Sequence, residues 1–201
     1  MRQKQSRLLG VLIFVLIVLV AVEQVVSLRK GHSSGTQPSV GTQTNIAFHN
    51  ELKMEMVTPI SSFNPTATTS PVYEHVTVYA ANGSKVSLNA RKTPLLFTAY
   101  WCPHCQRTLV LLSKNRALLR QKPIVIAMGY VPHTTLSEAK QLEDAEVKSL
   151  GLHGLAVYYL LDPNATKYVP VAYPTLAFMH GGRLLLMNSE HTLAVWEKAL
   201  S

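Results

Sequence analysis

The chain has 201 residues, enough for one domain with additional segments. Hydrophobic residues make up 47% and the formal net charge is +8, but the charge is uneven. Residues 1–30 hold Arg2, Lys4, Arg7, Arg29 and Lys30 against Glu23 alone, leaving fourteen basic and ten acidic residues for the rest, with no basic stripe interleaved with aromatics, so a nucleic-acid surface is excluded.

Residues 8–22 form an uncharged apolar run behind a basic N-terminus, extended by Val25, Val26 and Leu28. A spanning helix needs roughly 17–25 apolar residues, whereas a cleaved signal peptide needs a small-residue cleavage site after a shorter run. No Ala-x-Ala site and no lipobox cysteine follow. The reading is an uncleaved transmembrane signal anchor over residues 8–26, with residues 1–7 cytoplasmic and everything beyond the anchor on the extracytoplasmic side. The expected location is thus the cell membrane, as a single-pass protein.

Residues 27–71 read as a flexible linker. Residues 31–44 are small, polar and aperiodic. Ile46, Phe48, Leu52, Met54, Met56 and Val57 supply enough apolar positions for a short docking element. Residues 63–71 return to linker composition, so the compact domain is set to begin near Val72 and to run over 72–201.

Within that domain, 73–80 and 85–88 alternate in polarity across Asn82-Gly83, a hairpin signal. Residues 94–100 are a nearly continuous apolar run, as in a strand buried on both faces. A helical rhythm follows over 103–120, then a second buried strand over 123–130. The stretch 135–150 is rich in Glu, Lys, Ala and Leu and reads as an exposed helix, capped by Thr134 or Thr135 and stopped by Gly151. A third strand covers 157–161, a hairpin joins 175–179 to 183–187 across Gly181-Gly182, and 191–200 closes the chain as a helix. Strands alternating with helices imply parallel pairing, and the hairpins add antiparallel strands, so the expected fold is α/β with a mixed central sheet flanked by helices.

There are two cysteines, Cys102 and Cys105. A disulfide scaffold would need more of them. A structural zinc site needs about four ligands, and haem attachment needs a histidine where Gln106 stands. A redox dithiol is what remains. Cys102 lies where a buried strand gives way to a helix, so unpaired backbone N–H groups and the helix dipole favour its thiolate. Pro103 suits the first helical turn. Cys102 is the attacking thiol, Cys105 the resolving one, and a protonated His104 would further stabilise the Cys102 thiolate and make the disulfide more oxidising. His104 is otherwise a plain turn residue.

The segment Trp101-Cys102-Pro103-His104-Cys105 resembles the active-site motif of the thioredoxin superfamily, and Cys-Pro-His-Cys is the version found in DsbA-like oxidases. Tyr173-Pro174-Thr175, followed by Phe178 and Gly181-Gly182, is similar to the family's cis-proline loop. The resemblance covers about residues 72–201. It implies a thioredoxin-like fold, a cis Pro174 facing Cys102, and a substrate peptide bound beside Trp101, Tyr173, Pro174 and Thr175. Residues 76–88 and 158–164 look more like the membrane-tethered TlpA-like branch. The family's usual buried acid, six residues before the first cysteine, is replaced by Leu96. Tyr100 and Trp101 either line a groove or pack at the strand end. His133, His153, His180 and His191 are scattered, and no metal site is expected.

The expected function is extracytoplasmic thiol–disulfide exchange with exported proteins, in the oxidising direction, with no cofactor beyond the Cys102–Cys105 disulfide. Exported protein thiols or disulfides and a membrane redox partner are the expected partners. A tethered reductase, as in cytochrome c maturation, is the alternative; a metal-binding thiol carrier is the third.

Overall fold

The computed structural model describes residues 57–201. The anchor expected at 8–26 and most of the linker lie outside those residues. Among the described residues no helix is long and apolar enough to cross a membrane.

Eight strands form one mixed sheet: β1 (Thr66–Ala67), β2 (Val76–Tyr79), β3 (Lys85–Leu88), β4 (Leu95–Ala99), β5 (Ile124–Met128), β6 (Ala156–Tyr159), β7 (Thr175–His180) and β8 (Arg183–Asn188). Their order across the sheet is β1-β8-β7-β4-β5-β6-β2-β3. The centre, β4-β5-β6, is parallel, and every other pairing is antiparallel. Three helices complete the fold: α1 (Pro103–Lys114), α2 (Leu136–Leu150) and α3 (Leu193–Ala199).

Side chains alternate across the sheet, as the strand period of two requires. Leu95, Phe97, Ile126 and Met128 point into a core closed by Tyr73, Val76 and Tyr168. Leu96, Val125, Leu176 and Phe178 point the other way, against Leu109 and Leu112 of α1 and Val195 and Trp196 of α3. Val147 and Leu150 of α2 join this second core. That placement follows from handedness. The crossovers β4-α1-β5 and β5-α2-β6 step in the same direction along the sheet, and right-handed crossovers then put both helices on one face.

Two expectations need correction. The domain starts before Val72, because part of the stretch expected to be linker belongs to the sheet: Thr66 pairs with Leu186 and Ala67 with Leu185. Ile60 exchanges backbone hydrogen bonds with Glu190 and Thr192 at 2.9 and 3.0 Å. Phe63 stacks edge-on to Phe178 and lies under Lys198. The polar composition of 61–71 hid an edge strand that pairs through its backbone, with the Phe63 and Asn64 side chains adding contacts just before it. The second correction concerns the helix at 135–150. It is capped by Thr135, which accepts from the Glu138 N–H, and Gly151 closes it in the left-handed conformation at φ 62°. It is not simply exposed, however: its inner face buries Ala139, Leu142, Glu143 and Glu146.

Candidate active site

The buried strand β4 ends at Ala99, and Cys102 follows as the N-cap of α1, in extended backbone conformation, with Pro103 in the first turn. The Cys102 N–H donates to the Ala99 carbonyl at 3.0 Å, and the Gln106 side chain ties back to the Tyr100 carbonyl at 2.8 Å. These bonds lock the strand-to-helix junction. Both cysteines are free thiols. Cys105 is fully enclosed, and the Ala99 N–H donates to its sulfur at 3.4 Å.

The two sulfurs are electrostatically unlike. The Cys102 thiol is pulled down from 9.0 to about 6. The hydrogen bond from the Cys105 side chain is the main cause, helped by the Cys105 and His104 backbone N–H groups and by His104 charge, while burial opposes it. Cys105 moves well upward, because burial and the donation of its proton toward Cys102 both disfavour its thiolate. The helix N-terminus expected to activate the first cysteine does so through those two N–H groups.

His104 sits beside the dithiol but is not free. Its Nδ1 lies 3.1 Å from Glu190 Oε2 and 3.0 Å from an Arg107 guanidinium nitrogen. Arg107 in turn donates from Nε to both Glu190 oxygens, at 3.1 and 2.9 Å. Glu190 comes from the turn after β8 and is 7% exposed. Arg107 was findable in the sequence as the residue one turn after His104. Glu190 carried no sequence signal, because only the tertiary fold brings position 190 to α1.

The proline loop arrives from the far side of the chain. The Tyr173–Pro174 peptide is cis. The Tyr173 ring packs against Ala99, Cys102 and Cys105 and meets the half-exposed Trp101 ring edge-on at 5.5 Å. Trp101 lies across the site rather than packing into the strand end: its Nε1 donates to the Gly129 carbonyl at 2.8 Å. Gly129 has φ 75°, and a Cβ there would come within 3.1–3.3 Å of Ala99, Tyr173 and Trp101. Tyr100 is buried at the strand end, stacked on Tyr130. The Thr175 side chain faces inward. Its hydroxyl donates to one of the Ala172 carbonyl and Asn188 Oδ1, each 2.8 Å away, and the residue is fully buried, so it holds the loop and offers a substrate only its backbone. Tyr173, which packs against the dithiol, also lines a cleft of about 410 Å³ together with Gly129, Val131, His133, Leu161 and Asp162.

His191 is a buried structural residue, bonded to Asn64 Oδ1 at 3.0 Å and edge-on to Trp196. Among the described residues no group of three or more His, Cys, Asp or Glu side chains is placed to hold a metal ion. Leu96 lies in the apolar core beneath α1, and the acids missed by sequence reasoning, Glu143 and Glu146, stand on α2. Their signal was present as a helical pattern: 139, 142, 143, 146, 147 and 150 share one face.

A mixed sheet of this order, with a Cys-x-x-Cys pair at the β4–α1 junction and a cis-proline loop before β7, defines a thioredoxin-like α/β fold. No family model and no curated protein matches the sequence. Among solved structures the chain is similar to StoA from Bacillus subtilis, at 13% identity and TM-score 0.46, over 66% of this chain and 100% of that one. It is also similar to a thioredoxin-like protein from Aeropyrum pernix, at 16% identity and TM-score 0.43, over 62% and 86% of the two chains. A DsbF homologue from Corynebacterium diphtheriae matches at 16% identity and TM-score 0.44, over 72% and 96%.

Proposed function

We propose that this protein is a thiol–disulfide oxidoreductase, anchored in the cell membrane by residues 8–26, which exchanges disulfides with exported proteins and acts as an oxidase. The observation that carries the chemistry is the asymmetry of the two sulfurs. Cys102 is activated at the N-terminus of α1, while Cys105 is enclosed and retains its proton. An attacking thiol must be ionised near neutral pH, and a resolving thiol must be shielded from outside reagents. Cys102 forms the mixed disulfide; Cys105 resolves it; Trp101, Tyr173 and the backbone around Pro174 and Thr175 bound the place where the substrate chain lies. The disulfide itself is the redox group, and a membrane redox partner re-oxidises it.

The oxidising direction rests on the stabilised Cys102 thiolate, because stabilising the reduced form makes the disulfide a stronger oxidant. A specific observation favours the reductase reading as the second: Glu190 stands against both His104 and Arg107 and offsets positive charge that would otherwise act on Cys102. The equilibrium potential of the pair against glutathione separates the two. A value near about −120 mV fits the oxidase, and one near about −270 mV the reductase. Exchanging Cys105→Ser should accumulate exported proteins as mixed disulfides on Cys102. Recovery of no such adduct from oxidised or reduced cells would sink both readings.

A further inference from the structure

A helix packed on a sheet normally turns apolar side chains inward, yet α2 turns in two carboxyl groups. Glu143 and Glu146 are 3% and 2% exposed, as deeply enclosed as Leu142 beside them. Buried carboxylates are strongly disfavoured unless compensated. Glu143 is compensated: the Tyr130 hydroxyl donates to it at 2.8 Å, and the Glu146 carboxyl is hydrogen-bonded to it. Glu146 is only half satisfied, since its Oε1 has no partner. The Thr108 hydroxyl of α1, fully buried one turn beyond Cys105, is likewise unpartnered. Two orphaned polar atoms on two helices of the same sheet face are a rare arrangement that asks for a reason.

The dithiol supplies one. Burial and the neighbouring Glu143 push the Glu146 carboxyl upward, and the Cys102 charge pushes it further. Glu146 in turn adds to the upward shift of Cys105. Glu143 is also raised, chiefly by burial. Two enclosed carboxyls sharing a hydrogen bond hold one proton between them at neutral pH.

We propose that Glu146, backed by Glu143, is the proton carrier of Cys105, giving its sulfur a proton when the internal disulfide opens and taking that proton back when the disulfide closes. This rests on the redox reading of Cys102 and Cys105. In the oxidising turn a substrate thiolate attacks the Cys102 sulfur. A bond forms between the substrate and Cys102, the Cys102–Cys105 bond breaks, and its electron pair goes to Cys105. That enclosed sulfur takes the Glu146 proton through a bridging water, since the two groups are not hydrogen-bonded directly. The proton released earlier by the substrate thiol restores the carboxyl pair. A second substrate thiolate then attacks the substrate sulfur of the mixed disulfide, and Cys102 leaves as its stabilised thiolate. The sum is one substrate disulfide formed, one enzyme disulfide reduced to a thiolate and a thiol, and one proton released. In the reverse direction the Cys105 proton passes to the pair. Leu96 leaves no acid on β4 for this work, and α2 provides one from the adjoining crossover. Glu146 acts on Cys105 and does not contact substrate, so it is a positioning residue for the proton.

The other groups facing the pair titrate elsewhere. Asp144 on α2 adds to the rise of Glu143. Tyr100 and Tyr130 at the ends of β4 and β5 and Tyr159 on β6 are all raised by burial first, and stay neutral across the useful range. Lys140 lies over the Tyr159 ring. Within α1 the titrating neighbours are Cys102 and Cys105 themselves.

The test uses the full chain, with reduction of its disulfide by dithiothreitol followed as a function of pH in wild type, Glu146→Gln and Glu146→Asp. Glu146→Gln should slow exchange about a hundredfold near neutral pH and remove the carboxyl-linked inflection of the rate profile. Glu146→Asp should recover part of both, and Cys102 alkylation should keep its pH midpoint in each. A Glu146→Gln profile that overlays wild type overturns the proposal. A second measurement needs no variant: redox-difference infrared spectra of the wild-type chain should show a protonated-carboxyl band that changes on reduction, and a band-free difference spectrum overturns it equally. Wild type that exchanges no disulfide at all instead defeats the redox reading of the cysteines.

Discussion

At the scale of single residues the site is a balance of charge around Cys102. Its thiolate receives a proton donor from Cys105 and two backbone N–H groups. The folded pKa of about 6 lies below the free value of 9.0. Thiolate formation therefore stabilises the reduced protein fully above the free-thiol range, and that stabilisation, about 4 kcal/mol, is lost as pH falls through about 6. Alkylation by iodoacetamide should accordingly rise with pH through a midpoint near 6. Glu190→Gln should lower that midpoint, because it removes a negative charge while leaving His104 and Arg107 in place. A midpoint that moves upward would show that Glu190 acts chiefly by positioning His104. The Cys-Pro-His-Cys spacing made the dithiol and its neighbour legible from sequence, whereas the carboxylate 86 positions away from His104 could be found only from the fold.

At the scale of elements α2 matters most, since it buries two acids on the sheet face that it shares with α1. Its ends are set locally. Thr135 and Glu138 form a reciprocal capping box, with the Glu138 carboxylate accepting from the Thr135 N–H at 2.8 Å. Thr135→Ala should cost about 1 kcal/mol of stability, read as a lower urea midpoint with unchanged slope, because the cap touches neither core. Both ends of this helix were legible because caps depend on neighbours in sequence. Its burial was not. A run rich in Glu and Lys looks exposed until the neighbouring α1 and the sheet fix which face turns inward.

For the whole molecule, the sheet carries two cores, and its β1 edge is held by chain that precedes the expected domain boundary. Trp196 anchors α3 in the core shared with α1 and donates to the His191 carbonyl at 3.0 Å. Phe63 and β1 close the β8 edge over the same core. A chain beginning at residue 57 should therefore be more stable than one beginning at Val72 by about 2 kcal/mol, measured by urea unfolding of the two. Equal stability would show that the edge segment adds nothing.

The sequence by itself determined the strand-and-helix alternation, the strand-to-helix position of Cys102, the helix caps and the turn glycines, because each depends on residues within a few positions. It also singled out Pro174. Tertiary structure alone decided that Tyr173 and Trp101 meet, that Thr175 turns inward, that Glu190 reaches His104, and that Glu143 and Glu146 of α2 are buried. Those contacts are long-range. The first three depend on β7 pairing with β4 and β8, and the last on two crossovers of the same hand placing α1 and α2 on one face, none of which a local pattern encodes.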